Sequence, residues 1–159
     1  MNRITKTLAL AAVVLAGAFG ATAAQASAAD FQVNFKVQNN DASVSMIRIT
    51  DPLPTGVNGL IKPPSAIAAG GADPATGNAT WTGQLPGLNT SVSVSLTYGR
   101  ASDNGAQCTF TMKITHDTNS NPYLLEFSVS PSSPCAVPGP VRTSNGQFTA
   151  QTYALGWST

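Results

Sequence analysis

From Phe31 onward the chain alternates apolar and polar residues with the period of a half-buried strand, whose successive side chains face opposite sides. Phe31, Val33, Phe35 and Val37 take one phase and Gln32, Asn34, Lys36 and Gln38 the other, which predicts a first strand. Asn39-Asn40-Asp41 is a turn cluster, since Asn and Asp hydrogen-bond readily to the local backbone. Val44 to Thr50 then returns with Val44 and Met46 in one phase and Ile47 and Ile49 in the other. That change of phase predicts a bulge near Met46, and the two segments together read as an antiparallel hairpin.

Further along, Val92, Val94, Leu96 and Tyr98 alternate with Ser91, Ser93, Ser95 and Thr97. Cys108, Phe110, Met112 and Ile114 alternate in the same way with Thr109, Thr111 and Lys113. Ser102-Asp103-Asn104-Gly105 lies between them, and Asn-Gly tolerates the positive φ of tight hairpin turns, so the two strands are expected to pair directly. After a turn at Asn119 to Pro122, Tyr123, Leu125, Phe127 and Val129 mark another strand, ended by Pro131 and Pro134. The last strand runs from Gln147 to Trp157, with Phe148 and Ala150 in one phase and Tyr153, Leu155 and Trp157 in the other. Such a switch predicts a bend or a move between two sheets. Apolar residues do not recur at helical spacing beyond the first 28 residues, and 11 prolines and 14 glycines interrupt the chain often. The expected fold is all-β, an antiparallel two-sheet sandwich of immunoglobulin-like or jelly-roll type.

One stretch departs from this regularity. Asp51 to Asn78 is a 28-residue connection rich in Pro, Gly and Ala, long for a compact domain. In its plainer reading, Ser65 to Ala68 forms a short edge strand and the rest covers a sheet end. In the sharper one, it exposes Leu60 and Ile61 beside Lys62 to a partner, because clustered exposed apolar side chains mark binding surfaces. Trp81 fits a short strand with its ring in the core. Trp157, near the C-terminus, is open to either role and joins Leu60, Ile61 and Lys62 as a candidate partner contact.

The start of the chain carries an address. Arg3 and Lys6 precede an apolar run from Leu8 to Phe19, and Ala26-Ser27-Ala28 suits a signal peptidase. Residues 1–28 are therefore expected to be a signal peptide of bacterial character, and residues 29–159 one β-sandwich domain, secreted or periplasmic. No later segment has the roughly 18 apolar residues of a transmembrane helix. Beyond residue 28 there are six basic and seven acidic residues, six Asp and Glu126. A balance so even and so sparse argues against nucleic acid, which needs clustered Lys and Arg to neutralise phosphates. In an oxidising compartment Cys108 and Cys135, the two cysteines, are expected to form one disulfide.

Catalytic chemistry finds little to work with. His116 is the single histidine and Glu126 the single glutamate, and there is no G-x-S-x-G elbow, spaced acidic loop or phosphate-binding glycine motif. No catalytic residue, metal ligand or cofactor is expected. Strand count, export and one disulfide resemble secreted or periplasmic immunoglobulin-like subunits, bacterial pilins among them, although Cys108 and Cys135 stand late in the chain. The leading expectation is an exported, non-enzymatic binding module that presents loops or a strand edge to a protein, glycan or cell-surface partner. A second, pilin-like expectation is self-assembly, in which Phe31 to Gln38 adds to the edge of a neighbouring subunit. A third is a membrane-active β protein inserting Leu60, Ile61 and Trp157.

Overall fold

The computed structural model describes the backbone of residues 29–70, 75–85 and 87–157. The expected signal peptide, residues 1–28, lies outside the described residues. Eleven strands follow in chain order: β1 (Ala29–Asn39), β2 (Met46–Thr50), β3 (Val57–Ile61), β4 (Ala66–Ile67), β5 (Ala75–Leu85), β6 (Thr90–Arg100), β7 (Asp103–His116), β8 (Tyr123–Ser130), β9 (Cys135–Ala136), β10 (Val141–Thr143) and β11 (Gln147–Trp157). They form a five-stranded sheet, β3-β5-β1-β11-β9, and a six-stranded sheet, β10-β8-β7-β6-β2-β4. Inward side chains of both merge into one apolar core, so the protein is an all-β two-sheet sandwich.

Alternation on β1 does what its pattern demands. Phe31, Val33, Phe35 and Val37 are fully buried, and the polar phase between them is half-exposed. Phe35 packs on Trp81 of β5 with ring centroids 4.5 Å apart, a tilted contact that adds to the area both rings bury. On β5 the inward phase is Gly77, Ala79, Trp81, Gly83 and Leu85. Two of these positions are glycine for reasons of space. A Cβ on Gly83 would meet the Phe31 ring at 2.6 Å, and one on Gly77 would meet Pro64 at 2.1 Å.

The expected hairpin of the first two strands does not form: β1 lies in the five-stranded sheet and β2 in the other. The turn cluster redirects the chain instead. Asn39 is buried, and its side-chain amide donates to the carbonyls of Val44 (2.9 Å) and Ala68 (2.8 Å). Asp41 Oδ1 accepts from the backbone N–H of Ser43 and Val44 and from the Ser43 hydroxyl, while Oδ2 pairs with Arg100 of β6 at 2.7 Å. These bonds hold the 39–45 segment across the sandwich, and the side of β1 that a hairpin partner would occupy is taken by β5 and β11. The bulge expected near Met46 falls later on β2, between Arg48 and Thr50.

Pairing of β6 with β7 is as expected, from Thr90↔His116 to Gly99↔Gln107, with the turn tip at Ala101-Ser102, just ahead of the expected Asn104-Gly105. The phase switch of β11 is a bend within one sheet. Val33 pairs with Phe148 and Phe35 with Tyr153, so residues 149–152 leave the ladder and the strand resumes beside β1, in parallel. The long connection holds two strands, one for each sheet: β3 borders the five-stranded sheet and β4 the six-stranded one. Its crossing segment is tied down where Arg48 and Tyr98 donate to the carbonyls of Pro63 and Pro64.

Cys108 and Cys135 form the expected disulfide, and it joins the sheets: Cys108 is in β7, and Cys135 in β9 at the far edge of the other sheet. Closing 27 residues of chain separation is worth about 3 to 4 kcal/mol in the chain-entropy view. Replacing both cysteines by alanine should lower stability by roughly that amount. Urea melts of the protein and the double variant check this, and equal midpoints would refute it.

Candidate functional site

The register of the five-stranded sheet places a row of polar side chains on its outer face. Asn58 of β3 pairs with Thr82 of β5, Thr82 with Gln32 of β1, and Gln32 with Gln147 of β11. Directly paired residues point to the same side of a sheet. Four adjacent strands therefore contribute one continuous line of three amides and a hydroxyl. Gln84, two residues along β5, extends it.

This row lines a cleft of about 480 Å³ whose walls are Phe31, Gln32, Gly56, Asn58, Thr82, Gly83, Gln84 and Gln147. No charged side chain is among them. Gly56, with φ +86°, leaves backbone bare, with nothing within 4 Å of where a Cβ would stand. The side-chain amides of Gln32, Asn58, Gln84 and Gln147 make no hydrogen bond to another described residue. One row further along, the same face is internally satisfied: Thr80 Oγ1 donates to Asn34 Oδ1 at 3.0 Å, and Thr80 is buried beneath its neighbours.

Leu60, Ile61 and Lys62 stand at the rim of this face. Between Gly59 and Ile61 the pairing of β3 with β5 slips by one residue, and Ile61 is set opposite Thr80 on the outer side. Leu60 is 68% and Ile61 51% exposed, and Lys62 is exposed beside them. Trp157 does not belong with this group. It is only 2% exposed, because β1 takes one side of it at Asn39 and disulfide-anchored β9 the other at Cys135. Its ring is core, which corrects its place among the candidate contacts.

The outer face of the six-stranded sheet is a hydroxyl ladder. Ser95 and Thr111 lie 2.8 Å apart, and Thr97 and Thr109 3.0 Å, pairing with one another across β6 and β7. Glu126 faces Lys113 across 3.8 Å with both half-exposed, a contact of the kind worth a fraction of a kcal/mol. The His116 ring stacks on Tyr123 with centroids 4.5 Å apart. Asp117 turns to Arg142 at 2.8 Å and accepts from the Asn119 N–H at 2.9 Å. Those bonds, the Asn119 N–H first and Arg142 next, hold the Asp117 carboxyl below the usual carboxylate range. His116, Asp117 and Glu126 are thus each engaged in local packing or pairing. Among the described residues no three His, Cys, Asp or Glu side chains converge on a common point.

No family model, curated protein or solved structure matches the chain.

The lowered Asp117 carboxyl contributes stability that is complete above its ordinary value of 3.8 and is lost as pH falls through its lower folded value. Arg142→Ala should therefore raise the Asp117 titration midpoint toward 3.8, and carbon-detected NMR of the carboxyl from pH 6 downward reads it directly. An unmoved midpoint would show that Arg142 plays no part in holding it.

Proposed function

We propose that the protein is an exported, non-enzymatic binding module whose contact face is the outer side of the five-stranded sheet, bordered by Leu60, Ile61 and Lys62. The observation that carries this reading is the cleft across β3, β5, β1 and β11, lined by four side-chain amides that make no hydrogen bond to another described residue. Surface amides are usually hydrated and idle. A concave row of them, next to two exposed branched apolar side chains, has the composition of a recognition site, with polar groups that orient a ligand and apolar groups that exclude water. Export is inferred from the arginine, lysine and apolar run of residues 1–28, and the disulfide agrees with an oxidising compartment.

Assembly by strand addition has less support. The first strand, which would have to be donated, is paired on both sides by β5 and β11 over most of its length. The sheet borders are short: β3 has five residues and a bulge, β10 three, and β4 and β9 two each. Short and bulged edges are how sandwiches avoid edge-to-edge pairing. Of the trio that membrane insertion would use, Trp157 is in the core.

The test is retention of the purified protein on intact bacterial cells, animal cells and extracellular-matrix coatings. Binding to at least one of these surfaces is expected, and Leu60→Asp with Ile61→Asp should weaken it by about tenfold, the loss of two buried apolar contacts. Ser93→Asp on the opposite face should leave it unchanged. No retention on any surface, or hydrolase turnover abolished by His116→Ala or Glu126→Ala, would overturn the proposal.

A further inference from the structure

Resting on that reading, we infer that the ligand of the cleft is a neutral carbohydrate, a short uncharged oligosaccharide laid across β3, β5, β1 and β11. Each side-chain amide offers both donors and acceptors, and so does each sugar hydroxyl. Gln32, Asn58, Gln84 and Gln147, with the Thr82 hydroxyl, present that dual character repeatedly along one line, and none of the four amides bonds to another described residue. A peptide strand would need free backbone groups at a sheet edge. This cleft lies instead on a sheet face, where the ladders already use the backbone.

Charge narrows the class further. Phosphates, sulfates and carboxylates are held by Arg, Lys or ordered N–H groups, and the cleft lining supplies no cation. Lys36, in the same outward phase of β1 as Gln32, is four residues away, about 13 Å along a strand.

Size and shape agree with an oligosaccharide. The volume of about 480 Å³ falls within the usual span of small-ligand sites, about 300–1,000 Å³. Three strand intervals of about 4.8 Å make the row roughly 14 Å long, an extended site open at its ends. The amides and the Thr82 hydroxyl meet the sugar's hydroxyls, while the Phe31 ring, 2% exposed, stays in the core beneath. Leu60 and Ile61 lie outside the lining, at the rim of the same face.

A panel of short uncharged oligosaccharides, with sulfated and sialylated counterparts, tests this by array and then by calorimetry on the purified protein. At least one neutral sugar should bind, its charged counterparts more weakly. Gln32→Ala with Gln147→Ala should weaken it at least about tenfold, as expected for two lost hydrogen bonds. Asn58→Ala should weaken it less, while Lys113→Ala leaves it unchanged, all with native circular dichroism. If no neutral sugar binds while retention on a cell or matrix surface persists, the carbohydrate inference fails and the binding-module reading stands. A sugar that binds the Gln32→Ala, Gln147→Ala variant undiminished also overturns the inference. Loss of all retention removes both.

Discussion

The two-faced first strand is the constraint from which the rest of this protein follows. With β5 on one side and β11 on the other, β1 is the middle of its sheet, and its two phases are committed to opposite jobs. Phe31, Val33, Phe35 and Val37 build the core beneath. Gln32 lies between Thr82 and Gln147 on the outer face and completes the amide row. A slip of one residue would put Phe31 and Phe35 in water and the amides in the core. Core packing therefore fixes the geometry of the candidate site, and the site needs no device of its own to hold it rigid.

Two polar features make that placement possible. Asn39 and Asp41 anchor the chain where it leaves β1, so that β2 joins the opposite sheet and both neighbours of β1 come from distant sequence. Asp41 is buried, and its carboxyl is held below the usual range chiefly by the Ser43 N–H, with Arg100 contributing. At the other end of the sheet, the disulfide fastens β9, a strand of two residues that could not hold an edge by its ladder alone. Trp157 is buried as a consequence, which shows how a residue near the end of a chain can still belong to the core.

Much of this architecture was legible in the pattern of residues. The runs on β1, β6, β7, β8 and β11 are clear because large apolar side chains mark every inward position. β5 was legible only around Trp81, since the rest of its inward phase includes Gly77, Ala79 and Gly83, whose small size at Gly77 and Gly83 answers to Pro64 and Phe31, which are remote in sequence. The sheet order was hidden for the same reason: the hairpin reading of the first two strands counts only near neighbours, whereas Asn39 spends its amide on Ala68. Of the candidate contacts, Leu60, Ile61 and Lys62 are exposed as the sequence suggests, because an apolar pair in a proline-rich connection is conspicuous. Gln32, Asn58, Gln84 and Gln147 were missed. Each is an ordinary polar residue in its own segment, and only the register between strands makes them a set.

If β1 is the locked centre of its sheet, its backbone should be among the last parts of the molecule to open. Amide hydrogen exchange resolved by residue measures this most directly. The account predicts that residues 31–38 exchange only through global unfolding, with protection equal to that of β6 and β7 and well above that of the border strand β3. Exchange of residues 31–38 at loop-like rates, with β6 and β7 still protected, would contradict it, because the strand that aligns the amide row would then be a detachable edge.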